Sequence, residues 1–173
     1  MSPDPEACAP VLVLGLGNRL LADDGLGPEL AELLECEHGV DARIEFVDGG
    51  TQGLALLGLL DQRQALLILD AVALGAAPGS VHVVDDPLSV HTPRSQGAHE
   101  GNAGELLAAA LLLGSLPRRV ALVGIEPGPL RTHIGLSGAV LVALPGALRA
   151  ARRELDLMLA GTLTAREAPS CTN

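Results

Sequence analysis

Short, wholly apolar runs alternate along the chain with segments whose leucines recur at helical spacing, a pattern that predicts strands and helices in turn. Residues 11–14 form an unbroken apolar run ending in Gly15-Leu16-Gly17, as expected of a buried parallel strand that feeds a tight turn. Pro28 stands where a first helical turn tolerates it, and Leu26, Leu30, Leu33 and Leu34 follow at helical spacing. Residues 43–47 predict a second strand, interrupted by Asp48-Gly49-Gly50-Thr51, after which Leu54, Leu56, Leu57 and Leu60 predict a helix. Residues 65–69 predict a third buried strand ending at Asp70. This β-α-β-α-β succession belongs to an open α/β sheet with helices on both faces.

The next strand, residues 80–84, begins only nine residues after Asp70. A parallel crossover needs about a dozen residues or more, so this strand is expected to be antiparallel. Residues 86–101 are rich in Pro, Ser, His and Gly without hydrophobic period and predict a long loop, a class that is usually functional or mobile in compact domains. A helix over 102–113, a fifth strand over 119–125 and an irregular stretch over 126–136 follow. Ser137 is expected to cap a last helix reaching about residue 159, with Pro145 placed to kink it. The expected whole is one α/β domain over residues 1–160, three-layered around a mostly parallel five-stranded sheet, with a disordered tail over 161–173.

Composition narrows the chemistry. With 35 Leu, 25 Ala and a single aromatic residue, Phe46, the core must be aliphatic. All eleven basic residues are Arg, and the lack of Lys excludes a Schiff-base lysine, a P-loop lysine and a Ser-Lys dyad. A net charge of -10, with neither Trp nor Tyr to stack bases, argues against a nucleic-acid partner. Cys8, Cys36 and Cys171 are odd in number and widely separated, which encodes neither a disulfide framework nor a zinc knuckle and fits a reducing cytoplasm. Asp4 and Glu6 without a basic region are the wrong start for a secretory signal. No apolar run approaches the roughly 18 residues that a bilayer requires, so no membrane partner is expected.

Ligands of a doubly wound sheet collect beyond the carboxyl ends of the strands, where strand order reverses, usually between the first and third strands. Asn18, Asp23 and Asp24 follow strand one, Asp70 ends strand three, and the long loop carries His91 and His99. Asp70 stands out, because a carboxylate at the tip of a buried strand is costly to desolvate unless a cation or hydrogen bonds stabilise it. Each residue also has an ordinary role open to it: Asp70 as a turn cap, Asp23-Asp24 as partners of a helix N-terminus, a loop histidine as a solvated side chain. Together, two carboxylates and an imidazole suit a borderline divalent metal with positions left open for substrate. Two other motifs fail on detail. Gly15-Leu16-Gly17-Asn18-Arg19-Leu20 lacks the third Gly of a dinucleotide fingerprint and is followed by acids that would repel a pyrophosphate. Gly135-Leu136-Ser137-Gly138-Ala139 lacks the final Gly and the preceding strand of a nucleophile elbow.

Several segments resemble the maturation endopeptidases that trim the C-terminus of the [NiFe]-hydrogenase large subunit. They are residues 11–27, with Gly15-Leu16-Gly17-Asn18 and Asp23-Asp24-Gly25; Asp48-Gly49-Gly50-Thr51-Gln52-Gly53; and Leu66-Leu67-Ile68-Leu69-Asp70-Ala71. Pro78-Gly79, His99, Gly124-Ile125-Glu126-Pro127 and His133-Ile134-Gly135-Leu136-Ser137 follow in the family's order and spacing. The resemblance covers residues 11–159. It implies a five-stranded sheet between helices and three metal ligands at Asp24, Asp70 and His99, the first being often Glu in that family. It further implies that the metal is nickel carried by the substrate precursor, and that Asp48, Gly49, Gly50 and Thr51 help to define the substrate. Gly positions in that segment also suit a turn with positive φ.

No Ser-His-Asp or Cys-His set is apparent, since Cys36 falls in a helix and Cys8 and Cys171 lie in terminal segments. The expected chemistry is therefore an aspartic-type or metal-dependent endopeptidase, in which Asp24, Asp70 and His99 engage the precursor's nickel. The metal would polarise the scissile carbonyl or activate water while a carboxylate handles protons. Two other classes stay open on the sequence. Gly15-Leu16-Gly17-Asn18 also resembles the start of peptidyl-tRNA hydrolases, although no Pro follows Asn18 and an acidic chain without Lys suits tRNA poorly. A catalytically inactive, nickel-dependent chaperone of the precursor is the third reading.

Overall fold

The structure is a computed structural model that describes residues 8–88, 103–128 and 134–166. Its centre is a five-stranded sheet ordered β2-β1-β3-β5-β4, built from β1 (Val11–Leu16), β2 (Ile44–Gly50), β3 (Ala65–Ala71), β4 (Val81–Val84) and β5 (Arg119–Ile125). The β1–β2, β1–β3 and β3–β5 pairs are parallel, and β4 runs antiparallel to β5, as its short connection requires.

Alternation along the central strands assigns the two faces. Val11 and Val13 of β1, Leu67 and Leu69 of β3 and Val123 and Ile125 of β5 point to one side. There they meet Leu26, Leu30 and Leu34 of α1 (Leu26–His38) and Val140, Ala147, Ala151, Leu155 and Met158 of α4 (Gly138–Arg166). Leu12, Leu14, Leu66, Ile68 and Leu122 point to the other side, against Leu60 of the four-residue α2 (Leu57–Leu60) and Leu106, Leu107 and Ala110 of α3 (Ala103–Leu113). Both faces of β1 and β3 are thus sealed by aliphatic side chains, which is why these strands read as continuous apolar runs.

Three elements depart from the sequence expectation. Strand β2 does not stop at Val47 but runs through Asp48, Gly49 and Gly50. Its register against β1 shifts from Gly15 opposite Asp48 to Leu16 opposite Gly50, which leaves Gly49 as the extra residue of a bulge. The leucine-rich segment after Thr51 is a 3-10 turn, Gly53–Leu56, that passes into the short α2. Helix α4 continues through Arg166 into the stretch expected to be a tail; Thr162 is buried there and its Oγ1 donates to Leu159 O at 2.8 Å. A side-chain-to-backbone bond of that kind and burial against the core outweigh the weak helix propensity of Thr and Gly in the last turns.

The N-terminus of α4 follows expectation. Ser137 O accepts the first helical bond from Leu141 N at 2.9 Å, and Ser137 Oγ faces Val140 N at 3.5 Å, a long cap contact. Among the described residues Cys8 and Cys36 are free and exposed, and no helix is long and apolar enough to cross a membrane.

Candidate functional site

The order β2-β1-β3 places the topological switch between β1 and β3, whose carboxyl ends carry the loop after Leu16 and the Asp70-Ala71 tip. Behind β1 the chain turns sharply at Gly17, which has φ of 125° and whose N donates to Gly50 O at 2.9 Å. A Cβ built on Gly17 would lie 1.8 Å from Asp24 O, so only glycine lets the two arms of this loop close on each other. Residues Ala22–Gly25 form a 3-10 turn, and the half-buried Asp24 accepts at Oδ2 from Asn18 N at 2.8 Å. That bond fixes the carboxylate of Asp24 across the mouth of the loop.

Asp70 lies inside β3 rather than beyond its end, opposite Gly124 of β5. It retains partial solvent contact, and its Oδ1 accepts from Ala71 N at 2.7 Å. Burial pushes its carboxyl up to about 8; the Ala71 amide counters this, and the negative charge of Asp24 adds to it. The two carboxylates expected to act together are therefore close enough for one to disfavour ionisation of the other. A neutral Asp70 can donate a proton, and a divalent cation arriving between the two would displace that proton and remove the repulsion. His99 and His91 lie outside the described residues, and among the described residues no three metal-ligating side chains cluster.

Asp48, Gly49 and Gly50 form the bulged end of β2 beside this loop, with Thr51 exposed in the turn that follows. Asp48 Oδ1 accepts from Gly50 N at 3.0 Å, and Gly50 has the positive φ, 50°, that suits glycine. Arg19 ties this segment to α1, with Nε 3.6 Å from Asp48 Oδ2, Nη1 3.6 Å from Glu29 Oε2 and Nη2 2.9 Å from Glu32 Oε2. The segment expected to define the substrate therefore flanks the Asp24 loop, joined to it through Gly17 and Arg19.

Two further carboxylates serve the site's framework, and the sequence reading gave neither a metal-binding or substrate-binding role. Asp23 is buried, and its carboxylate bonds neither its own turn nor α1. Its Oδ2 accepts from Gly128 N at 2.8 Å and its Oδ1 from Ser137 N at 2.6 Å. Glu126 follows β5 as Asp70 ends β3, and holds the connection between β3 and β4 through Leu74 N at 2.9 Å, Gly75 N at 3.0 Å and His82 Nε2 at 2.9 Å. Burial pushes the Glu126 carboxyl up, but the amides of Leu74 and Gly75, the His82 ring and the Ala76 amide outweigh it and hold it below the usual glutamate range. The signal that marked Asp70, an acid directly after a buried apolar run, is present equally at Ile125-Glu126. A separate cavity at the amino ends of β3 and β5, lined by Gln64, Ala65, Arg119 and Met158 among others, contains none of these residues.

Comparison with known proteins identifies the family and matches the fold. The family model described as hydrogenase maturation protease matches residues 28–154. The hydrogenase expression/formation protein HupD of Rhodobacter capsulatus is 37% identical over 148 residues, covering 84% of this chain and 70% of that protein. The hydrogenase 2 maturation protease of Escherichia coli (strain K12) is 36% identical over 140 residues, covering 80% of this chain and 85% of its own. The solved structure of the hydrogenase maturating endopeptidase HybD from E. coli superposes with a TM-score of 0.71 at 34% identity, over 83% of this chain and 92% of that one. The chain belongs to the hydrogenase maturation protease family.

Proposed function

We propose that this protein is the endopeptidase that removes the C-terminal extension of a [NiFe]-hydrogenase large-subunit precursor after nickel insertion, and that it recognises the nickel the precursor already carries. The observation that supports this reading best is the carboxyl pair at the β1/β3 switch, where burial, with a smaller contribution from the Asp24 charge, raises the Asp70 carboxyl to about 8. Such a pair is poor at staying doubly ionised alone and good at accepting a divalent cation. In this reading Asp24, Asp70 and His99 engage the nickel, which belongs to the substrate, and Asp48, Gly49, Gly50 and Thr51 contact the precursor beside it. Nickel bound there polarises the scissile carbonyl or activates water, and a carboxylate moves the proton, which makes the enzyme metal-dependent with aspartate as its acid or base. The reaction takes place in the cytoplasm, with no nucleic acid or membrane involved.

The test compares nickel-free precursor, nickel-loaded precursor and the isolated cleavage-site peptide, following release of the C-terminal fragment. Only the nickel-loaded precursor is expected to be cut efficiently, because the peptide lacks both the metal and the folded surface that orients the bond. Equal cleavage of the two precursors would remove nickel recognition. Wild-type processing by the triple Ala variant at Asp24, Asp70 and His99 would remove the site.

A further inference from the structure

Asp23 and Asp24 are adjacent, yet their carboxylates serve different parts of the molecule. Asp24 bonds back to Asn18 within its own loop. Asp23 reaches the connection between β5 and α4, bonding Gly128 near its start and Ser137 at its end. It is 3% exposed, and among the described residues no cation pairs with it. Its charge is carried by two short bonds from backbone amides, strengthened by the positive end of α4 immediately beyond Ser137. A buried carboxylate satisfied by donors more than a hundred positions away is an expensive arrangement for a residue with no task beyond filling a turn. Simple capping of α1, the ordinary role of an acid here, does not describe it, since both oxygens face another segment.

We propose that Asp23 is a positioning residue: it clamps the two feet of the β5–α4 connection onto the 3-10 turn and thereby sets the direction of the Asp24 carboxylate. The mechanical link is short. The peptide between the two residues belongs to the turn Ala22–Gly25, whose Asp24 N donates to Leu21 O at 3.1 Å, and Asp24 O packs against the Gly17 backbone with no room for a Cβ. With Asp23 held by Gly128 and Ser137, that peptide cannot rotate, and Asp24 keeps its bond to Asn18. Without the clamp the turn is fixed on one side only. The Asp24 half of this inference rests on the function proposed above.

The test uses the full chain with Asp23→Asn, Ser137→Pro and Asp24→Asn, assayed at a temperature where each is folded. Asn at 23 keeps the shape of Asp but turns an amide group toward one of the two donors. Pro at 137 removes one donor and leaves both carboxylates in place. The readouts are kcat and KM for nickel-loaded precursor and the hydrogen exchange of the Asn18 amide, which reports the Asp24 bond directly. Asp23→Asn is expected to lower kcat by about tenfold or more, as misplaced catalytic groups do, and to speed Asn18 exchange by a similar factor. Ser137→Pro is expected to move both in the same direction by less, and it decides the matter alone should Asp23→Asn fail to fold. A lowered melting temperature with kcat and Asn18 exchange unchanged would reduce Asp23 to a structural residue and overturn the proposal. Wild-type processing by Asp24→Asn would instead overturn the assignment of Asp24 to the site, while Asn18 exchange would still decide the clamp.

Discussion

Replacing Asp70 with Asn should make the protein more stable while abolishing its processing activity. The folded chain holds the Asp70 carboxyl at about 8, against 3.8 for the unfolded residue. Between those values the folded state keeps a proton that the unfolded state has released, so wild-type stability falls as pH rises through that window and levels off above it. At pH 7 the three or so units between the unfolded value and the solution correspond to at most about 4 kcal/mol, and at pH 5 to about 2 kcal/mol. Partial solvent contact of Asp70 screens part of this, which leaves about 2–4 kcal/mol at pH 7 and about 1–2 kcal/mol at pH 5. Asn has no proton to hold and can still accept from Ala71 N through its carbonyl oxygen, so the variant escapes the cost without losing the bond.

Urea unfolding followed by circular dichroism reads the difference. With a slope of about 2 kcal/mol per molar, Asp70→Asn should raise the midpoint by about 1–2 M at pH 7 and by about half of that at pH 5. Asp24→Asn should narrow the gap, because it removes the neighbouring charge that adds to the cost of ionising Asp70. A stabilisation equal at both pH values, or a variant less stable than wild type at pH 7, would refute the reasoning, since neither follows from a carboxyl held neutral by its surroundings. The predicted stabilisation together with lost processing would part stability from function in the expected direction, with a costly carboxyl kept for what it binds.

Glu126→Gln should cost about 1–3 kcal/mol at pH 7, because it turns an amide group toward donors that now meet a carboxylate. Wild-type Glu126, held below its usual range, contributes stability that is present above the unfolded glutamate value and lost as pH falls through the folded one. Urea midpoints of the two proteins should therefore stay separated from pH 7 down to the unfolded glutamate value of 4.5 and converge only below it, and a separation unchanged at lower pH would contradict this account. Gly17→Ala places a methyl 1.8 Å from Asp24 O at a φ of 125° and should cost about 2 kcal/mol or more of stability. It should also lower processing at temperatures where the variant is folded, and wild-type rates in a folded Gly17→Ala would show that the loop can open without moving Asp24.

What the sequence revealed and what it hid divide along one physical line. A strand sealed on both faces announces itself locally: Leu66-Leu67-Ile68-Leu69 and Leu122-Val123 can only be buried, and β5 was legible to the residue. The antiparallel sense of β4 was legible because chain length alone forbids the alternative. Asp70 drew attention because a charge placed against such a run needs a reason to be there, whereas Asp24 was marked only by its place after β1 and by the family resemblance. Strand β2 is different, an edge strand whose Gly49-Gly50 has the composition of a turn but serves a bulge. Nothing local separates those two uses of a Gly pair, and only the partner strand decides between them. The same holds for Asp23, whose partners are backbone amides, and for Glu126, which bonds two such amides beside the His82 ring; a backbone amide carries no sequence signature. Local sequence offers two adjacent acids before a helix, and a role beside that helix is open to both. The fold turns one toward Asn18 in its own loop and the other toward amides more than a hundred residues on, and on the proposed reading this division makes Asp23-Asp24 a single device with a working carboxylate and its anchor.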